Sequence, residues 1–158
     1  MKSPKYRVLT SEELQALEKE FIDFLVVNGI TASDWEQMKE NQKVEAEQML
    51  VLFSDVIFEG IMRKTQFLEY WEPSGIKAFH CLQSEIRLVG VEAKPGNELD
   101  FMKTPLQEIF QDPSALSVYG SGKPYAKIRE SEIFAMMQQG CQRTNGDLYK
   151  KFCLLLVD

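Results

Sequence analysis

Apolar residues in this chain first recur at helical spacing and then at alternating spacing, and the change falls near Thr65. In "LTSEELQALEKEFIDFLVVNGI", Leu14, Leu17, Phe21, Phe24 and Leu25 share one face at a helical period, with Ile22 and Val26 widening the stripe. Thr10 with Glu13 three residues on forms a capping box, and Asn28-Gly29 supplies a stop, so a core-facing helix is predicted. "TASDWEQMKEN" opens with cap-type residues and sets Trp35 and Met38 on one side, predicting a short helix. "KVEAEQMLVLFSDVIFEGIMRK" predicts a longer one of different character. Met49, Leu50, Leu52, Phe53, Val56, Ile57 and Ile61 form a broad face, and Val51, Phe58 and Met62 lie beyond it. Only Gln48, Asp55 and Glu59 hold a polar strip, and a helix apolar nearly all round is normally covered on more than one side.

"TQFLEYW", "IKAFHCLQ" and "EIRLVGVEA" then read as three strands joined by short turns, an antiparallel meander. Helices followed by sequential hairpins indicate an α+β fold, not a parallel α/β one. After "KPGNE" breaks the chain, Thr104 as cap and Pro105 at the first helical position start a short helix to about Phe110. "SEIFAMMQQG" predicts a helix closed by Gly140, and Asn145-Gly146 predicts a hairpin. The run "FCLLLV" fits a buried strand or a helix end equally well. The expectation is one α+β domain over residues 1–158, its N-terminal helices packed on an antiparallel meander sheet, with a C-terminal helix and hairpin.

Composition adds limits. With 44% hydrophobic and 27% charged residues the chain is that of an ordinary globular protein. A net charge of −6 argues against nucleic-acid binding, which draws on lysine and arginine to neutralise phosphates. Residues 114–158 alone are mildly basic, but "SEIFAMMQQG" carries no lysine or arginine and would make a poor recognition helix. Cys81, Cys141 and Cys153 match neither a disulfide framework nor a zinc-ligand spacing. No apolar run reaches membrane-spanning length, and a cytoplasmic protein without membrane attachment is expected.

The stretch "YGSGKPY" invites a phosphate-loop reading and fails it. The motif G-x-x-x-x-G-K-[ST] requires glycine where Ser117 stands and a hydroxyl where Pro124 stands. A looser anion site survives, with Tyr119, Gly120, Ser121, Gly122, Lys123 and Tyr125 as a loop of free amides and Arg129 completing the charge. The plainer alternative is a surface turn, since Gly, Ser and Pro are the ordinary vocabulary of turns. His80 and Cys81 are adjacent base and thiol, yet on a strand they point to opposite faces and cannot act as a pair. Asp55 with Glu59 and Glu20 with Asp23 are helical carboxylate pairs without the histidines that a helical di-metal site takes. No catalytic residue, metal or cofactor is therefore assigned.

"EKEFIDFLVVNGI", "DWEQMKE", "VLFSDVIFEGI" and "RESEIF" together resemble a family of small uncharacterised proteins from Bacteroidota-type bacteria, and the likeness covers most of the chain. The resemblance implies bacterial cytoplasmic origin and brings no activity with it. The leading functional expectation is a non-enzymatic interaction module, homodimeric or bound to another protein, with Val51, Phe58 and Met62 at the interface. The alternative is a binder of a small phosphorylated or anionic ligand through residues 119–125.

Overall fold

The capping box forms: Glu13 N–H donates to Thr10 Oγ1 at 3.1 Å and Thr10 N–H to Glu13 Oε1 at 2.8 Å, opening α1 (Ser11–Ala16). The computed structural model describes residues 2–157 and divides into two units, residues 1–61 and 62–158.

In the first unit the expected single helix is two. Leu17, at φ −106° and ψ 24°, leaves helical geometry and separates α1 from α2 (Glu18–Val27). Apolar spacing runs on through the break, because Leu14, Leu17, Phe21, Phe24 and Leu25 still meet in one cluster with Phe53. Thr31 and Asp34 form a second capping box ahead of α3 (Ala32–Asn41), whose Trp35 meets Phe21 edge-on at 5.1 Å. The long α4 spans Lys43–Lys64, and its polar strip is occupied from within. Gln48 accepts from Lys2 N–H at 3.2 Å, Asp55 from Lys5 N–H at 2.8 Å, and Glu59 from Lys5 Nζ at 3.0 Å and from the Tyr6 hydroxyl. These side chains thus hold the N-terminal segment along the helix.

The stripe that the sequence suggested for a partner is likewise filled by the chain itself. Val51, Phe58 and Met62 are 5%, 6% and 1% exposed. Tyr6 packs on the Phe58 ring at 6.2 Å and the Arg7 guanidinium lies 4.6 Å over it.

In the second unit the meander is present as β1 (Phe67–Glu72), β2 (Gly75–Cys81) and β3 (Glu85–Ala93), extended to a five-stranded antiparallel sheet in the order β4-β3-β2-β1-β5. After β3 come α5 (Leu106–Ile109), one residue later than expected because Pro105 is its N-cap, and a 3-10 turn (Pro113–Ala115). The register pairs Phe67 with His80, His80 with Arg87, and Arg87 with Gly122, so these positions share one face. Farther along that face Ile76, Ala78, Val89 and Val91 form the core with Phe101, Ile109, Leu116, Leu148 and Phe152.

Two expectations are corrected. Residues 119–124 are neither loop nor turn: they belong to β4 (Leu116–Pro124), which pairs with β3 along nine residues from Leu116 opposite Ala93 to Pro124 opposite Glu85. Gly120 and Gly122 have no positive φ, so their amides do not converge as an anion nest would require. The Asn-Gly pair does not make a hairpin. After α6 (Arg129–Gln138) and the short β5 (Gln142–Thr144), Gly146 at φ +86° hands the chain directly to α7 (Asp147–Val157). Asn145 Oδ1 accepts from Asp147 N–H at 3.0 Å, an Asx cap that starts a helix instead of returning a strand. A side chain at Gly146 would stand 2.5 Å from the Phe67 ring, so this position needs glycine for space as well as for φ. The apolar C-terminal run is therefore helix. No helix among the described residues is long and apolar enough to cross a membrane.

Candidate ligand-binding cleft

The start of β1, the end of β2, the end of α4 and the start of α6 come together at one end of the sheet, and Arg129 joins them. As the first residue of α6, it reaches back to four backbone carbonyls. Nε donates to Leu82 O at 3.1 Å, Nη1 to Met62 O at 3.1 Å, and Nη2 to Cys81 O at 3.0 Å and to Thr65 O. Met62 and Thr65 lie in and just after the last turn of α4, where carbonyls lack helical partners and the helix dipole favours a cation. Only a planar fork of five donors can serve so many acceptors at once. Glu130 Oε2 accepts from Nη1 at 3.0 Å, and both side chains are largely buried. Tyr125 adds a hydroxyl donated to Leu82 O at 2.7 Å, and burial pushes its phenol up to about 12.

Against this clamp opens a cleft of about 520 Å³, lined by Arg63, Gln66, His80, Cys81, Leu82, Gln83, Arg129 and Glu130. A shallower groove of about 440 Å³, bordered by Lys64, Phe67, Arg143 and Asn145, shares Gln66 with the cleft. Arg63, Arg129, His80 and two amides therefore face a single carboxylate, Glu130, which Arg129 already holds.

His80 is fixed by aromatic packing. Its ring stacks on Phe67 at 4.4 Å and meets Tyr149 edge-on at 5.3 Å. Partial burial lowers its proton affinity first, and the positive charges of Arg87 and Lys150 lower it further. The imidazole is thus neutral at pH 7, with Arg87, itself paired with Glu85 at 3.0 Å, and Lys150 nearby. Cys81, on the opposite face, is 3% exposed, and burial raises its thiol to about 11 despite the nearby Arg129. It is a protonated packing residue, not a nucleophile. The cysteines do not form one cluster with the histidine: Cys141 lies near Cys81, while Cys153 lies near Tyr149 on the side where His80 lies. Among the described residues no group of three or more His, Cys, Asp or Glu is placed to hold a metal ion.

Of the residues that the sequence suggested for an anion site, only Arg129 lines the cleft, and Tyr125 touches it through Leu82; His80 and Cys81, read from sequence as adjacent base and thiol, line it as well. Tyr119, Gly120, Ser121, Gly122 and Lys123 lie along β4 instead. Tyr119 lays its ring over Gly90, where any side chain would collide within 2.1 Å. Arg63, Gln66 and Gln83 were missed, and the available signal was slight: an Arg-Lys pair ending a long helix, which reads as an ordinary C-terminal charge.

Residues 1–157 match a family of unknown function, DUF6495. The chain belongs to this family. The match runs through both units of the DUF6495 chain, so the cleft lies within what the family defines. No curated protein and no solved structure matches it.

Proposed function

We propose that the DUF6495 chain binds a small anionic ligand, carrying phosphate or carboxylate groups, in the cleft beside His80. The carrying observation is the charge arrangement: Arg63 and Arg129 line the cleft, Arg87 and Lys150 act on its imidazole, and its one carboxylate is already held. An incoming anion would meet donors from Gln66 and Gln83 and the positive charge of Arg63 and Arg129, while the Arg129 N–H groups stay on the four carbonyls and Glu130. The site suits binding more than covalent chemistry, since the thiol beside the histidine in sequence is buried, protonated and on the other face. The reading keeps a bacterial, cytoplasmic setting, supported by the family resemblance and by three free cysteines.

Thermal unfolding with inorganic phosphate, pyrophosphate, citrate and nucleotides tests it. A ligand at one hundred times its dissociation constant adds about 2.7 kcal/mol of stability. The expected result is a rise in Tm with at least one of these anions, reduced in Gln83→Ala and in Arg63→Gln and retained in Lys123→Ala. If none of them shifts the Tm, or if Lys123→Ala abolishes the shift while the cleft variants keep it, the assignment to this cleft is overturned.

A further inference from the structure

We propose that β4 is the seam of a two-fold homodimer, pairing antiparallel with β4 of a second copy so that two five-stranded sheets continue as one. Strand β4 is an end strand: β3 occupies one side over nine residues, and among the described residues no strand occupies the other. Proteins blunt such edges by shortness, charge, bulges or internal proline. The opposite edge, β5, follows that rule with three residues. In contrast, β4 is long, keeps an unbroken register, carries one charge, Lys123, and has its only proline at its last position.

An apolar surface adjoins the same edge. Helix α7 crosses the sheet from β1, where Gly146 meets Phe67, to β4, where Leu156 reaches Gly120. There Leu156 is 44% exposed. An unpaired strand and a half-exposed leucine therefore lie side by side, one supplying backbone hydrogen bonds and the other apolar area.

The charge pattern selects a second copy as the occupant. A two-fold contact must be self-complementary. Pairing centred on Gly120 sets Lys123 opposite Ser117 and Pro124 opposite Leu116, so no like charges face each other and the missing proline N–H falls at the end of the ladder. Serine and glycine over residues 120–122 leave the edge flat enough for close approach. The inference stands apart from the anion cleft, because Leu156 and Ser121 do not line it.

Sedimentation equilibrium of the full chain tests the seam. The expected mass is twice 18.2 kDa. Leu156→Glu and Ser121→Pro should each weaken association by at least about tenfold, as loss of a central interface contact does. Circular dichroism of the variants should be unchanged, and Leu156→Glu, altering a half-exposed side chain, carries the test if the proline perturbs the strand. Amide exchange over residues 116–124 should slow as protein concentration rises. A monomer at hundreds of micromolar overturns the proposal, and so does a dimer that survives Leu156→Glu with exchange in β4 independent of concentration.

Discussion

The two ends of the sheet act in opposite senses on the groups that titrate there. At the end where β2 finishes, His80 has a lowered proton affinity, first through burial and then through Arg87 and Lys150. Toward the other end Tyr119 has a raised phenol pKa, again first through burial, but then through Glu92 and Glu72. Burial alone cannot distinguish an acid from a base site. The second cause does: cations act on His80 and carboxylates on Tyr119. The overall charge conceals this: residues 1–61 hold six basic and twelve acidic side chains and account for the net −6, while residues 62–158 hold twelve of each. A site for an anion is therefore compatible with an acidic protein, because Arg63 and Arg129 line the cleft in the unit whose charges balance.

The largest effect in breaking this contrast should come from Arg129 itself. Arg129→Ala strands four carbonyls and the Glu130 carboxylate at the basic end, and is expected to cost about 3–5 kcal/mol by urea unfolding, the range for breaking a buried charged network. Arg129→Lys should recover only part of it, since one ammonium cannot span the acceptors. A variant as stable as the natural chain would show that the clamp is dispensable. Next comes Gly146→Ala, where a left-handed backbone and the Phe67 ring combine for about 2–4 kcal/mol, again by urea unfolding. It would displace the ring on which His80 stacks.

Smaller effects sharpen the contrast. Arg87→Gln with Lys150→Gln should raise the His80 pKa toward its ordinary 6.5, and Glu92→Gln should lower that of Tyr119 toward 10. Opposite movements, read by NMR of the only histidine and by ultraviolet titration of tyrosine, establish the polarity, and parallel movements would dismiss it. The sign on stability follows. His80 is harder to protonate folded than unfolded, so its contribution is present above pH 6.5 and declines as pH falls through that value. The smallest effect lies away from both ends. Arg7, with the Thr10 backbone, holds the Glu13 carboxyl down to about 2. The pair is more than a third exposed, so Glu13→Gln should cost under about 1 kcal/mol. That contribution should be present above pH 4.5 and vanish as pH falls through about 2, which acid titration of the urea midpoint would measure.

Much of the fold was legible because its signals are local. Thr10 with Glu13, and Thr31 with Asp34, announce their helices within three residues, and alternation over residues 67–93 announces the meander. The break at Leu17 was not, since apolar spacing continues through it. Residues 119–124 misled because Gly, Ser and Pro spell a turn, whereas nine cross-strand pairs with β3 impose a strand, a case of tertiary context overriding propensity. Asn145-Gly146 misled because the Asn side chain caps the next helix. The cleft was hidden for a plainer reason. Arg129 was visible as a cation, but its carbonyl partners lie 47 to 67 residues away, and no periodicity or motif encodes such closures.

The measurement that bears most directly on the basic end is the NMR titration of His80 with and without saturating pyrophosphate. Binding beside the imidazole should raise its pKa, because the anion offsets the field of Arg87 and Lys150 and favours the protonated ring. A titration curve that superimposes with and without the anion, at concentrations that raise the Tm, would place the ligand elsewhere and contradict the account.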